Sequence, residues 1–394
     1  MTDEARVLEL CDELVAEQPP SSISPEVFLG AQFDKGLAWI HFPEGNGGLG
    51  LSPKLQNTIN ARLTKAGAPS PYGRNPIGYG MCAPTMVMHG SDDIKRRYLR
   101  RLFTAEDVWC QMFSEPGAGS DVAGLASRAE RDGDEWVVNG QKVWTTLAHR
   151  ANFGIVIVRT NPEVPKHKGL TMFIIDMHAP GVEVRPLVQL TGEAEFNEVY
   201  MTDVRIADDH RLGDVGDGWR VSLTTLMNER VSIGGQVPPR GGGMIAMALH
   251  QWNAADDATR RNAVARDSLA KLWIEAEVQR LTNIRAASNR KVGTPGPEGS
   301  TGKLAMAELN QRIANFTFNL MGMAATLYDG YTFERPKHAL DLSTPQKAFL
   351  RVQANSIEGG TSNVMRNILG ERVLGLPGEP RNDRDVPWSQ VPRS

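Results

Sequence analysis

The hydrophobic pattern changes period twice along the chain, and this limits the fold more than any single residue does. Up to about residue 110 the apolar residues recur at helical spacing, with glycine and proline between segments. Thr2-Asp3 can cap a helix through Val15, Ser52-Pro53 can begin another through Lys65, and Asp92-Asp93 precede a third over Ile94 to Phe103. From 110 to about 210 the runs become short and β-rich: Trp136-Val-Val-Asn-Gly, Phe153–Arg159, Leu170–Asp176 and Val182–Leu187. Asn-Gly, Asp-Gly, Lys-Gly and Pro-Gly punctuate that stretch, as turns between paired strands do. From Asp217 helical spacing returns: Leu269, Leu272, Trp273 and Ala276 share one face, and Leu309, Ile313, Phe316 and Leu320 another. The pattern predicts an α+β chain in three parts: an N-terminal helical domain over 1–110, a middle antiparallel β-domain over 111–214, and a C-terminal helical bundle over 215–394. Segment 292–302 is expected to be a loop or interface feature between two long helices, and the tail from Leu376 to Ser394 to lie on the surface or hang free.

Composition excludes several classes. With 41% apolar residues in 394, the chain can bury a large core, so it is neither disordered nor fibrous. Forty-three Lys and Arg against 46 Asp and Glu give no field that favours nucleic acid or anionic lipid, so neither is an expected partner. No apolar run reaches the ~18 residues of a spanning helix, and the start, Met1-Thr-Asp-Glu-Ala-Arg, lacks the pattern of a signal peptide. The three cysteines, Cys11, Cys82 and Cys110, have no metal-like spacing, so no metal is expected. A cytoplasmic location is the expectation. Gly45-Asn-Gly47-Gly-Leu-Gly50 matches a dinucleotide-binding fingerprint, but no acidic residue follows about 20 positions on, and a Gly-rich turn is the better reading.

Two other stretches carry chemistry. In Ser114-Glu-Pro-Gly-Ala-Gly-Ser-Asp121, glycines and small side chains let backbone amides and hydroxyls approach an anion closely. In Asn139-Gly-Gln-Lys-Val-Trp144-Thr-Thr146, a turn leads to an indole that can wall a planar ring, with a hydroxyl beside it. A phosphate cradle next to an aromatic platform suggests a flavin dinucleotide; the competing reading is a Gly-rich hairpin with a core Trp. Lys142 is read as a hairpin charge, His149 and His178 as surface loop residues, and Lys95 to Arg101 as a solvated basic helix face.

Those two motifs, with Glu358-Gly-Gly-Thr-Ser and Arg366-Asn-Ile-Leu-Gly-Glu-Arg-Val-Leu-Gly-Leu-Pro377, stand in the order and spacing of the acyl-CoA dehydrogenases, a family the whole chain resembles. The resemblance implies an N-terminal helical domain, a middle β-domain and a C-terminal four-helix bundle, with FAD as cofactor. It implies that Gln111, Met112, Phe113, Ser114, Gly119 and Ser120 contact FAD. Trp144 and Thr146 would flank the isoalloxazine, the Thr146 hydroxyl near N5, with Thr145 between them among the cofactor contacts. Thr361 and Asn363 would lie near the dinucleotide part, and Arg290 would be a further cofactor contact. Met227, Asn228 and Arg230 would line the acyl-CoA channel, with Ser120 and Gly360 also at the substrate. The reaction it implies is α,β-dehydrogenation of an acyl-CoA to the trans-2-enoyl-CoA, an α-proton going to a base and a β-hydride to flavin N5. Electron-transferring flavoprotein would reoxidise the cofactor.

The family's usual base, the Glu of Glu-Gly-Thr, is replaced here by Gly359. Two carboxylates remain. Glu358 is one residue away and is expected to point out of the cleft, because one step turns a side chain by about 100° on a helix or 180° on a strand. Glu229 sits where long-chain and isovaleryl-type members carry their base on a neighbouring helix, and it is the preferred assignment, its pKa raised by burial. Gly359 would then leave room for Glu229 while its N–H serves the thioester oxygen. The family's Gln-x-x-Gly-Gly-x-Gly run is missing; Tyr328 to Arg335 stand in its place, and the Arg-x-x-Phe-Gly stretch shrinks to Arg290-Lys-Val-Gly. This departure leaves open a heterotetramer with a paralogue beside the family's homotetramer. Two competing functions are a flavin oxidase or monooxygenase on the same fold, and a non-catalytic subunit.

Overall fold

The computed structural model describes residues 2–235, 237–289, 299–328, 330, 332–337, 342–380 and 383–392. Among the described residues six α-helices precede the sheet: α1 (Asp3–Glu17), α2 (Pro25–Asp34), α3 (Leu55–Lys65), α4 (Pro71–Arg74), α5 (Ala83–His89) and α6 (Asp92–Thr104). The Thr2 hydroxyl accepts from the Ala5 amide and starts α1, which runs two residues past the expected Val15; Ser24, Ser70 and Ser91 cap α2, α4 and α6 in the same way. On α1, Val7, Cys11 and Leu14 lie on one face and meet Phe28, Ile59 and Leu63. On α6, Ile94, Tyr98, Leu99 and Leu102 are buried, while Lys95, Arg96, Arg100 and Arg101 pair with Asp92, Asp93, Asp34 and Asp107 on the outer flank. The Gly45–Gly50 stretch is a turn: Gly45, Gly47 and Gly50 have positive φ, and the Ala38 and Trp39 amides both donate to the Gly47 carbonyl.

Among the described residues eight strands form one sheet: β1 (Trp109–Met112), β2 (Arg128–Asp132), β3 (Glu135–Lys142), β4 (Phe153–Arg159), β5 (Leu170–Asp176), β6 (Val182–Leu187), β7 (Phe196–Ala207) and β8 (Arg211–Leu212). Their order is β6-β7-β3-β2-β4-β5-β8, with β1 on β4. The sheet is mixed, not antiparallel as expected, because β1 and β2 both pair with β4 in parallel. The connection from β1 to β4 carries the whole β2–β3 hairpin, long enough for the crossover that parallel pairing needs. Strand β4 is covered on both faces: Val156 and Val158 join Cys110, Met112 and Phe173, while Ile155 and Ile157 join Trp109, Leu99 and Val221.

After the sheet come α7 (Gly218–Gly234), α8 (Met244–Ala254), α9 (Asp257–Arg261), α10 (Ala263–Asn289), α11 (Gly299–Met321), α12 (Pro345–Arg351) and α13 (Ser362–Ile368). The predicted faces Leu269/Leu272 and Leu309/Ile313 meet Ile245 and Ala248 in one core. Glycines set the α7–α11 crossing. A Cβ on Gly234 would sit 2.5 Å from the Lys303 Cα, and one on Gly302 2.9 Å from the Gly234 carbonyl. Of the expected loop 292–302, residues 292–298 and the candidate Arg290 lie outside the described residues, whereas Gly299 to Gly302 already belong to α11. Among the described residues no helix is long and apolar enough to cross a membrane.

Of the two expected arrangements the described part of the tail takes the first: it is docked on the surface rather than hanging free. Trp388 donates from its indole N–H to the Gly124 carbonyl at 3.1 Å and lies 4.1 Å under the Arg159 guanidinium, and Lys166 bridges Asp121 and Asp383. Proline excludes a long helix here, leaving one 3-10 turn at Trp388–Gln390, and the aromatic and charged side chains anchor the segment. Trp388→Ala should therefore loosen the tail by about 1–2 kcal/mol, read as faster limited trypsin cleavage after Arg384 with an unchanged sheet and bundle.

Candidate functional site

A cavity of about 1420 Å³ opens between β1, α7 and the turn that follows α12. Single small-molecule pockets run to about 300–1,000 Å³, so this one has room for a cofactor and a substrate together. Helix α7 sets one wall because its faces differ. Val221, Ser222 and Thr225 are buried toward α5, with the Thr225 and Thr85 hydroxyls 2.8 Å apart. The opposite face turns Leu226, Met227, Glu229, Arg230 and Ile233 into the cavity.

Glu229 is partly buried and accepts from Gln111 Nε2 at 3.3 Å. Its desolvation raises the carboxyl above the ordinary range, opposed by the Gln111 hydrogen bond and by the positive charges of Arg230 and Lys303. Gly359 has φ +63°, a left-handed conformation that favours glycine, and a Cβ there would lie 3.8 Å from Glu229 Oε1 and 2.9 Å from Ile233 Cδ1. The space an ordinary side chain would fill is thus the space beside the Glu229 carboxylate.

Glu358 does not point away as expected. It lines the same cavity, but Arg351 grips both its oxygens at 3.1 and 2.9 Å, and Asn355 donates to it at 2.6 Å. Arg351 is buried and also holds Glu195, at 3.2 Å. Both Glu358 oxygens are thus committed to Arg351 and Asn355 rather than offered to the cavity.

The two sequence motifs form the facing wall. Gln111, Phe113, Ser114, Gly119 and Ser120 line the cavity, as do Trp144 and Thr146. Trp144 has φ +61° and is 58% exposed, its indole edge-on to Phe196. Gly360 and Thr361 line it too, Thr361 capping α13 by accepting from the Val364 amide. Four expected residues do not. Met112 points into the opposite core, since alternate residues of a strand face opposite ways. Thr145 is buried between Trp144 and Thr146, its backbone paired with Asn197. Asn228 turns back to the Thr224 carbonyl on its own helix, and Asn363 is exposed on α13.

Several residues escaped the sequence reading. Lys142 is no hairpin charge: it is fully buried, donating to Glu115 at 2.8 Å and to the Phe113 carbonyl at 3.1 Å. It therefore ties the second motif to the first. The signal was present, because Lys142 shares the inward parity of Trp136 and Val138 on β3. His149 is half-buried rather than on the surface, between Asn197 and the Pro336 carbonyl. Arg351 and Lys303 carry no such local mark; only the packing of α11 and α12 brings them to the site.

The wall residues suit a flavin. Trp144 gives a flat face, Ser114, Ser120 and Thr146 give hydroxyls, and Gly117 and Gly119 adjoin open space. Gln111 Oε1 at this wall and Arg230 Nε on α7 opposite, both buried, have no hydrogen-bond partner among the described residues.

Three family models match in order: acyl-CoA dehydrogenase N-terminal domain over residues 9–106, middle domain over 110–204 and C-terminal domain over 216–374. The acyl-CoA dehydrogenase IpdE1 of Mycobacterium tuberculosis is 36% identical over 350 residues, 88% of this chain and 86% of that one. The ChsE4–ChsE5 complex from Mycobacterium tuberculosis holds a chain of similar fold, with TM-score 0.72 and 28% identity, covering 95% of this chain and 97% of that one. A structure described as the Tcur3481–Tcur3483 steroid ACAD compares at TM-score 0.72 and 25% identity, with coverage of 95% and 97%.

Proposed function

Because the chain belongs to the acyl-CoA dehydrogenase family, we propose that it oxidises an acyl-CoA thioester to the trans-2-enoyl-CoA with Glu229 as the base that takes the α-proton. The observation that carries the assignment is the gap at Gly359, which opens beside Glu229 Oε1 while Glu358 is tied to Arg351. The Glu229 side chain lies close enough to its neighbours Gln111 and Gly359 to be aimed, and its raised pKa makes it a stronger base than a solvated carboxylate. In this reading the Gly359 N–H serves the thioester oxygen, where enolate charge develops. FAD would be held by Ser114, Ser120, Trp144 and Thr146, and when bound it supplies the two-electron acceptor. Electron-transferring flavoprotein is the proposed reoxidant.

For the acyl group we propose a bulky, ring-bearing class. The cavity's size supports this, as does the likeness to a structure described as a steroid ACAD. The chain is also proposed to assemble with a second subunit, its own copy or a paralogue. The outer face of α10 leaves Ile274, Val278 and Leu281 about half exposed, an apolar stripe of the sort that subunit contacts cover.

The test is a visible spectrum of the purified protein under argon, with straight-chain, branched and steroid-side-chain acyl-CoAs in turn. A yellow protein bleached fastest by the ring-bearing thioester supports the proposal. A colourless protein, or a yellow one that no thioester bleaches, overturns it, and rapid reoxidation by O₂ would point to an oxidase instead. Gly359→Ala is a sharper check. Its Cβ would crowd Ile233 at a backbone angle that side chains avoid, so bleaching should slow about a hundredfold while flavin content stays that of the wild type.

A further inference from the structure

Beneath the gap at Gly359 lies a buried lysine. Lys303, on α11, is fully buried, and its ammonium donates to the Asn355 carbonyl at 2.7 Å and to the Gly360 carbonyl at 2.6 Å. Among the described residues it has no carboxylate within ion-pairing distance; both of its partners are main-chain oxygens. A buried ammonium without a counter-ion is costly, and a neutral donor could hold one of those carbonyls with far less desolvation. The charge therefore calls for a further reason.

Its position supplies one. A Cβ at Gly359 would lie 3.5 Å from Lys303 Cε and 3.8 Å from Glu229 Oε1, so lysine and carboxylate border the same small volume. The close α7–α11 crossing at Gly234 and Gly302 makes that approach possible, since a side chain at either glycine would force the helices apart. Resting on the assignment of Glu229 as base, we infer that Lys303 is a positioning residue: its ammonium fastens the Gly359–Gly360 turn open and sets a fixed positive charge beside the Glu229 carboxylate.

Other charges act on Glu229 as well, Arg230 in the same direction and ahead of Lys303. Arg230 follows it on α7, partly buried and with Arg372 nearby, and Glu358 adds a negative charge largely answered by Arg351. Gln111 on β1 is neutral. Burial pulls the Lys303 ammonium toward its neutral form, and the carboxylates of Glu358 and Glu229 oppose that loss. The Lys303 charge thus works against the rise that burial imposes on the Glu229 carboxyl, alongside the Gln111 hydrogen bond and Arg230.

The test compares flavin-loaded Lys303→Gln, Lys303→Met and Lys303→Arg with the wild type. Two readouts are used: the pH dependence of flavin bleaching by saturating acyl-CoA, and an infrared titration of the carboxylic-acid C=O band that Glu229→Gln removes. The neutral variants should move both the acid limb and the band titration upward by about one pH unit or more, and Lys303→Arg should leave them near the wild-type position. Unmoved titrations in whichever neutral variant folds overturn the inference. So does failure of both neutral variants to fold while Lys303→Arg folds, because the lysine is then a structural staple. The base assignment fails separately: Glu229→Gln would bleach at the wild-type rate, yet the infrared titration would still report whether Lys303 governs that carboxyl.

Discussion

Glu229→Gln should slow anaerobic bleaching of the flavin by its acyl-CoA about 10²–10⁴-fold, the range that one positioned general base contributes, with flavin content and melting temperature close to wild type. The amide is nearly isosteric and keeps an oxygen to accept from Gln111, so the loss reports proton transfer rather than a collapsed wall. Stopped-flow absorbance with the best thioester measures it. Glu358→Gln is the informative contrast. Its carboxylate answers Arg351 and Asn355 at one edge of the cavity, so its loss should lower thermal stability yet leave bleaching within about tenfold. The opposite ranking would make Glu358 the base. The pH profile adds a sign: desolvation raises the Glu229 carboxyl, so the active, ionised form should be lost on acidification at a pH above the ordinary carboxylate range.

What the sequence revealed of the site, and what it hid, follows from periodicity. The helical–β–helical order was legible because hydrophobic spacing registers the same faces that pack: Leu269, Leu272, Leu309 and Ile313 were predicted and are buried together. The parallel pairing of β1 and β2 with β4 was not, since pairing direction depends on a crossover rather than on local pattern. Within the motifs, whole blocks of neighbours were assigned to the cofactor, but backbone geometry admits only some of them. Gln111 faces the cavity and Met112 the core; Trp144 and Thr146 face it and Thr145 does not. Helix rotation removes Asn228 from between Met227 and Glu229 in the same way. Glu229 was singled out because Gly359 stands where the family's usual base would be and the resemblance offers a second position on a neighbouring helix. Lys303 and Arg351 had no such trace, because a buried charge is recognisable only once its partners from distant helices are known.

The largest stability effect should come from Lys142→Met. Glu115 and Lys142 form a buried pair, with Glu115 also accepting from the Ala126 and Ser127 amides at 2.7 and 3.0 Å. Burial opposes the charge on Glu115, but the Lys142 ammonium and these hydrogen bonds outweigh it and hold the carboxyl below its usual range. Removing the lysine leaves that carboxylate buried without its cation, a change that typically costs about 3–5 kcal/mol. Denaturant unfolding at neutral pH should show a loss of that order, and the apoprotein should bind FAD more weakly, since Lys142 also pins the Phe113 carbonyl of the motif that lines the cavity. The pH dependence separates this cause from mere loss of packing. In the wild type, the depressed Glu115 contributes stability above its unfolded pKa and loses it as the pH falls through the folded value. In Lys142→Met the same carboxyl, now unpaired, takes up a proton at higher pH and relieves its own penalty, so the deficit against wild type should shrink on acidification. A deficit that stays constant from pH 8 to pH 4.5 would assign the loss to shape instead. Adding Glu115→Gln to Lys142→Met should recover part of the stability, because the amide is neutral and its oxygen can still accept from Ala126 or Ser127.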